Sequence, residues 1–302
     1  MKDLCVKIIR SVLVLYAQLP LKFHYLVGDV FTWIVKNVFR YRANVVMINI
    51  ARSFPDRKYH ELKEIYDGFY RHFGEIIAEA LWFSGSSYRR LNRNGIVKVV
   101  NPEVISELYD STPSVTVLNT HCGNWEILGG LLGYETLTGA ELSFKEKDIT
   151  VVYKEMSSHV ADRVFALNRI SPLEEIGTEC EVESRQVLRY SIKHKEERRV
   201  YIYPADQAPY WGAGRHPVGE FMHQDTYAMI GSMGVAHKLA HSVVYMKMKR
   251  VERGYYEMSF IPICRDASLM SPEEILRKYY DLLEEEINET PCNWLWSHKR
   301  WK

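Results

Sequence analysis

Apolar and aromatic side chains recur at helical spacing through residues 59–83, at Leu62, Ile65, Tyr66, Phe69, Phe73, Ile76, Ile77 and Ala80. This spacing predicts one long amphipathic helix. Beyond a polar stretch at residues 84–94 the pattern changes. Short runs rich in β-branched and aromatic residues, at 115–118, 150–153, 199–203, 242–245 and 256–261, are separated by segments of helical pattern at 125–134, 157–167, 182–194 and 226–240. Such alternation predicts an α/β fold: a mixed, largely parallel sheet covered by helices. Ser271, followed by Pro272, Glu273 and Glu274, predicts the start of a last helix running to about residue 288. A serine hydroxyl caps free N–H groups, proline fits the first helical position, and acids suit the first turn. No internal repeat interrupts the series.

The first 42 residues have a different character. Residues 12–19 are apolar but stop at Pro20 and Lys22, too short to span a bilayer. A second apolar stretch, residues 25–39, is interrupted by Gly28, Asp29 and Lys36 and closes on Arg40, Tyr41 and Arg42. Together they predict an N-terminal membrane-associated helical hairpin lying in or dipping into a bilayer, with a buried core hairpin as the alternative. No small-residue cleavage site follows the first stretch, so a cleaved signal peptide is not expected. The expected division is a membrane-associated segment, 1–42, and a main domain, 43–302.

Composition narrows the partners. Hydrophobic residues make up 47% and charged residues 25% of the 302, enough to build a core, and the formal charge of +1 gives no general basic excess for nucleic acid. Anionic groups must be met locally. Cys5, Cys122, Cys180, Cys264 and Cys292 show no paired spacing, so neither a structural zinc site nor a disulfide framework is expected. His237 and His241 stand four apart, the spacing of a metal pair, but lack a third ligand; no metal and no cofactor is expected. No Gly-x-Ser-x-Gly elbow, Walker motif or dinucleotide fingerprint occurs.

The informative cluster follows the run at 115–118: Asn119-Thr-His-Cys-Gly-Asn-Trp-Glu126. Polar residues at a strand-to-helix junction occupy the usual ligand edge of an α/β sheet, where a helix amino terminus offers N–H groups to a developing anion. His121 is expected to be the base. Glu126, in the first turn of the helix, is expected to fold back, fix the imidazole tautomer and stabilise the imidazolium. Without a paired nucleophile, this His-x4-Glu arrangement can take a proton from a substrate hydroxyl as that oxygen attacks a thioester, a general-base role contributing ~10²–10⁴-fold. Cys122 reads as a small residue packed at a strand end rather than as a nucleophile.

Several further segments, with this one, carry a resemblance that covers nearly the whole chain. Phe39-Arg-Tyr-Arg42, Asn49-Ile-Ala-Arg-Ser-Phe-Pro55, Glu75-Ile-Ile-Ala-Glu79, the His121 to Glu126 motif, Tyr203-Pro-Ala-Asp-Gln-Ala-Pro209, residues 221–226 and the closing Trp294-Leu-Trp-Ser-His-Lys-Arg-Trp-Lys302 resemble the lipid A biosynthesis acyltransferases of the lysophospholipid acyltransferase superfamily. The resemblance implies transfer of a fatty acyl chain, usually from acyl carrier protein, to a hydroxyl of a lipid A precursor at the cytoplasmic face of the bacterial inner membrane. His121 and Glu126 match its catalytic motif, and Asn124 lies within it as a substrate-binding candidate. Lys154, Arg163 and Arg169 stand in the stretch matching its basic, phosphate-receiving block. Asp206 and Gln207 match its Asp-Gln block and are expected to position substrate. Other acceptors, a lysophospholipid or an amino-acid lipid, stay open. So does a non-catalytic membrane lipid-binding protein, although His121 and Glu126 are both present. The closing aromatic and basic tail is expected either at the lipid interface or anchored on the body of the protein.

Overall fold

The predicted alternation resolves, in a computed structural model that describes residues 2–173, 180–210 and 214–301, into one eight-stranded sheet, a separate two-stranded hairpin and ten α-helices among the described residues. The strands are β1 (Val97–Val99), β2 (Val115–Asn119), β3 (Glu135–Thr136), β4 (Ile149–Tyr153), β5 (Glu181–Glu183), β6 (Val200–Pro204), β7 (His216–Phe221), β8 (Gln224–Ala228), β9 (Ser242–Glu252) and β10 (Tyr255–Cys264). The large sheet runs β3-β1-β10-β9-β2-β6-β4-β5. Every neighbouring pair in it is parallel except the β9–β10 hairpin. The expected mixed, largely parallel sheet is therefore present. β2 lies near its centre with all five residues buried, as a strand covered on both faces requires.

Helices cover both faces: α1 (Lys2–Tyr16), α2 (Leu21–Asn37), α3 (Ala43–Ser53), α4 (Tyr59–Phe83), α5 (Tyr88–Asn94), α6 (Pro102–Ser111), α7 (His159–Arg169), α8 (Val187–Lys193), α9 (Gly231–Lys238) and α10 (Pro272–Glu289). Successive strand residues point to opposite faces. On β9, Val243 and Tyr245 join one core with Ile275, Leu276, Tyr279 and Leu283 of α10, whereas Val244 and Met246 join the other with Val115, Val117 and Ile127. The predicted cap of α10 forms as expected: the Ser271 hydroxyl accepts from the Glu274 N–H, and the Glu274 carboxylate accepts from the Ser271 N–H.

Four local expectations change. Residues 125–134 form a 3₁₀ segment, Trp125–Gly133, rather than an α-helix. Gly129 there is pressed so close to the carbonyl of Arg169 that a Cβ would meet it at 1.6 Å. Residues 182–194 split into β5, an edge strand paired with β4, and the short α8. Residues 226–240 begin as β8, paired with β7 through a tight turn in which Met222 and His223 both have positive φ, and become helical only at Gly231. The polar stretch 84–94 contains α5, capped by the Ser87 hydroxyl.

The N-terminal hairpin exists as α1 and α2, bent by 114°. No single helix among the described residues is long and apolar enough to cross a membrane; at 1.5 Å per residue the two are only about 22 and 26 Å long. One face of α2 docks on α4 where Gly28 meets Gly74, with Thr32 buried beside them. Leu4, Ile8, Val12 and Leu15 of α1 and Leu26, Val30 and Trp33 of α2 form the opposite, exposed stripe. Of the two readings of the closing tail, the body anchor holds for Trp294 and Trp296: both are buried, and Asn49 donates to the Trp296 and His298 carbonyls at 2.9 Å each. Lys302 lies outside the described residues.

Candidate active site

β2 and β6 are parallel neighbours in strict register, Val115 opposite Val200 through Asn119 opposite Pro204. The offset of 85 carries past the strand ends and sets His121 beside Asp206. Asp206 is buried, and three N–H groups converge on its carboxylate: His121 Nδ1 at 2.6 Å, the His121 backbone at 3.0 Å and the Trp294 indole at 2.9 Å. Trp294 is held there by an isolated bridge to Cys122. With its donors, and above all the facing His121, outweighing the cost of burial, Asp206 is held down at about 2. Burial alone would depress the His121 pKa, but Asp206, with a smaller contribution from Glu126, raises it.

An ionised carboxylate on Nδ1 fixes the proton there and leaves Nε2 as the basic nitrogen. Nε2 accepts from the Gln207 carboxamide at 3.0 Å. The contact to the imidazole expected of Glu126 is made by Asp206. Glu126 is the second residue of the 3₁₀ segment, where its carboxylate accepts from the Trp125 indole at 2.9 Å and acts on His121 through space. Gly123 makes this sharp turn possible: its φ is +60°, and a Cβ would meet the Met248 carbonyl at 2.3 Å.

His121, Glu126 and Gln207 open on a cavity of about 260 Å³. Its walls are largely apolar, with Leu128, Leu131, Ile149, Val151 and Ile202 among them, and Asn119, Lys154 and Arg169 add polar groups. A more open depression of about 980 Å³ lies by α5 and residues 131–146 and contains neither His121 nor its partners. Of the three basic candidates, Lys154 and Arg169 line the cavity. Lys154 sits 4.0 Å over the Tyr210 ring, and Arg169 is paired with Glu181 at 2.9 Å. Arg163 is exposed on α7 and is not part of the wall.

Asn124 is not among the residues that line the cavity. It is fully buried; its amino group donates to Glu79 at 2.6 Å and its oxygen accepts from the Glu126 N–H at 3.1 Å, so it braces the turn. Glu79 also accepts from Tyr25 at 2.6 Å and Tyr256 at 2.8 Å, and its burial raises its pKa. One helical turn away, Glu75 binds Arg250 at 2.7 Å and Arg253 at 3.0 Å, while His72 contacts the Gly123 carbonyl at 3.0 Å. Glu79 thus ties α2 and β10 to the turn after β2, while Glu75 holds β9 and the following β9–β10 turn against α4. Their four-residue spacing on one helix face was the legible signal. Trp294 and Asn119 both stand in segments that carry the resemblance, but their partners lie far away in sequence and no local spacing names them.

His237 and His241 do not converge. His237 contacts the Ala267 and Met270 carbonyls, His241 the Thr116 hydroxyl, and no group of metal-binding side chains occurs among the described residues. Cys122 is buried, which raises its pKa and disfavours the thiolate.

A histidine held by a buried carboxylate, with no thiol or hydroxyl bonded to it among the described residues, opens on a largely apolar cavity at the carboxyl edge of an α/β sheet. Such a site can take a proton from a hydroxyl and offers an apolar wall to a hydrocarbon chain. The family model described as bacterial lipid A biosynthesis acyltransferase matches residues 5–302, and the chain belongs to that family. It is an enzyme of lipid A and lipopolysaccharide biosynthesis with a membrane lipid context. A search of curated proteins finds no match.

Proposed function

We propose that the enzyme transfers a fatty acyl chain from an acyl carrier protein thioester to a hydroxyl of a lipid A precursor, with His121 as general base. The observation that carries this reading is the orientation of the imidazole: Nδ1 bonded to Asp206 and Nε2 turned to the cavity. The acceptor hydroxyl replaces the Gln207 amide at Nε2. Its oxygen bonds to the thioester carbon as its proton passes to Nε2, and the carbonyl π pair moves onto oxygen. The pair returns as the C–S bond breaks, and the leaving sulfur takes the proton from His121. Asp206 stabilises the imidazolium at contact and Glu126 through space. The apolar cavity wall suits the acyl chain, and Lys154 and Arg169 at the same cavity suit a phosphate of the acceptor.

The exposed stripe of α1 and α2 supports a reading of residues 1–42 as the membrane-facing segment, lying in the interface on the cytoplasmic face of the inner membrane, with residues 43–302 as the acyltransferase domain. α1 reaches the cavity wall, since Arg10 donates to Ser171 at 2.9 Å, two residues beyond Arg169. Purified enzyme is offered acyl carrier protein loaded with fatty acid and a panel of lipid A precursor, lysophospholipid and amino-acid lipid. Transfer to the lipid A precursor, abolished by His121→Ala with membrane association kept, is the expected result. Transfer only to another lipid rejects the acceptor, and unchanged turnover in the variant rejects His121 as the base.

A further inference from the structure

Asn119 is the last residue of β2 and is held from both sides: its carbonyl accepts from the Ala205 N–H at 3.2 Å and from the Tyr279 hydroxyl at 3.0 Å. The residue lines the cavity with His121 and Gln207, yet it is only 5% exposed. The Oδ1 is buried without a hydrogen-bond partner among the described residues. A buried polar atom left unpaired is costly, so a carboxamide with no hydrogen bond at its side-chain oxygen, beside the histidine, calls for an explanation. The polar side chains nearest the base are engaged: Asp206 by three donors, Glu126 by Trp125 and Gln207 by His121.

We propose that Asn119 is a catalytic residue that donates a hydrogen bond to the carbonyl oxygen of the acyl thioester and stabilises the oxyanion formed when the acceptor attacks. This rests on the acyl-transfer reading above. A donor aimed at the attacking oxygen would hold back its lone pair. A donor aimed at the thioester carbonyl is the remaining use, and it strengthens as the carbonyl π pair moves onto oxygen. Oδ1 is the sealed end of this carboxamide; the amino group has no hydrogen bond among the described residues and is not sealed, so it is the end open to a ligand in the cavity.

The test combines kinetics with a spectroscopic probe. Removing one such donor costs about 10²–10³ in kcat. Asn119→Ala and the isosteric Asn119→Asp, which keeps the shape but loses the donor, are expected to lose at least about 100-fold in kcat. The KM for the acceptor is expected to change less than about threefold, because the contact matters chiefly in the transition state. Infrared spectra of a fatty-acyl thioester labelled with ¹³C at the carbonyl, bound to the enzyme without acceptor, are expected to show a downshifted carbonyl stretch in the unaltered protein and none in either variant. A carbonyl downshift retained in both variants, or one lost only in Gln207→Ala, overturns the assignment. So does a kcat within about threefold of the unaltered protein, or a loss confined to the acceptor KM. Thermal melting identifies an alanine variant that has lost its fold, in which case Asn119→Asp carries the comparison; if that variant too unfolds, the role is structural and the assignment fails. His121→Ala run in parallel separates the readings: if that variant still turns over, the base assignment fails, and if only it is dead, the role of Asn119 alone is rejected.

Discussion

Replacing Asp206 by asparagine tests the site at its most specific contact. Three N–H groups converge on this carboxylate, from His121 Nδ1, the His121 backbone and Trp294 Nε1, at 2.6 to 3.0 Å. A carboxamide offers one accepting oxygen where a carboxylate offers two, so its amino group must face a donor. The imidazole is then free to adopt the other tautomer, with the proton on Nε2 and no base toward the cavity. In Ser-His-Asp enzymes the equivalent change lowers kcat by about 10⁴, near 5 kcal/mol at 1.36 kcal/mol per decade. A loss between about 10² and 10⁴ is expected here.

The pH profile carries an independent sign. His121 must be neutral to act, so turnover rises with pH through its pKa, which Asp206 holds above the ordinary value despite burial. Removing Asp206 moves that acid limb to lower pH while lowering the plateau. Stability changes too. The pKa of Asp206 is held at about 2, below its unfolded value near 3.9, so its contribution is present above about pH 4 and lost as pH falls toward 2. Its magnitude is on the order of 2 kcal/mol. The raised pKa of His121 describes the same pair from the other side and is not added. Steady-state kinetics across pH, with urea denaturation at about pH 7, measure both. A variant within about tenfold of normal turnover whose acid limb has not moved would refute the orienting role of Asp206.

Three other outcomes are expected. Glu126→Gln moves the acid limb of turnover the same way as Asp206→Asn but by less, because Glu126 acts without contact; a larger shift than in Asp206→Asn would restore Glu126 as the orienting acid. Glu79→Ala leaves the Tyr25 and Tyr256 hydroxyls and the Asn124 amide without their acceptor and lowers stability in urea by about 3 kcal/mol or more, whereas Glu79→Gln, which keeps an acceptor, costs much less. Leu15→Asp with Trp33→Asp reduces partitioning onto lipid vesicles at least about tenfold and leaves the melting temperature unchanged, because each carboxylate is costly at the lipid interface while both native side chains are exposed, at 75% and 62%. Unchanged partitioning would remove the stripe from membrane attachment.

The sequence was most legible where a pattern is local. Helical spacing marked α4, the cap at Ser271 marked the start of α10, and the runs at 115–118, 150–153, 199–203 and 242–245 marked four strands of the sheet. It was least legible where a segment takes its form from a neighbour. The 3₁₀ turn after Trp125 is dictated by the approach of Arg169, β5 by pairing with β4, and β8 by its hairpin with β7. Their own residues are compatible with helix, and tertiary contact overrides so weak a preference.

The same division runs through the site. A histidine after a central strand of an α/β sheet, followed by an acid five residues on, was enough to pick out the histidine at the cavity mouth, because its type and its strand-end position both lie in one short segment. Which carboxylate holds it was not. Glu126 is five residues from His121 in sequence, but the turn at Gly123 and the 3₁₀ segment direct its carboxylate to Trp125. Asp206 is 85 residues away and becomes the partner because β2 and β6 pair in parallel with that same offset. Trp294, a further 88 residues on, completes the cluster by bridging to Cys122. Sequence alone named a candidate chemistry and a candidate base. Strand register, a property of the folded sheet that no local spacing encodes, decided which acid contacts that histidine and which polar groups share its cavity.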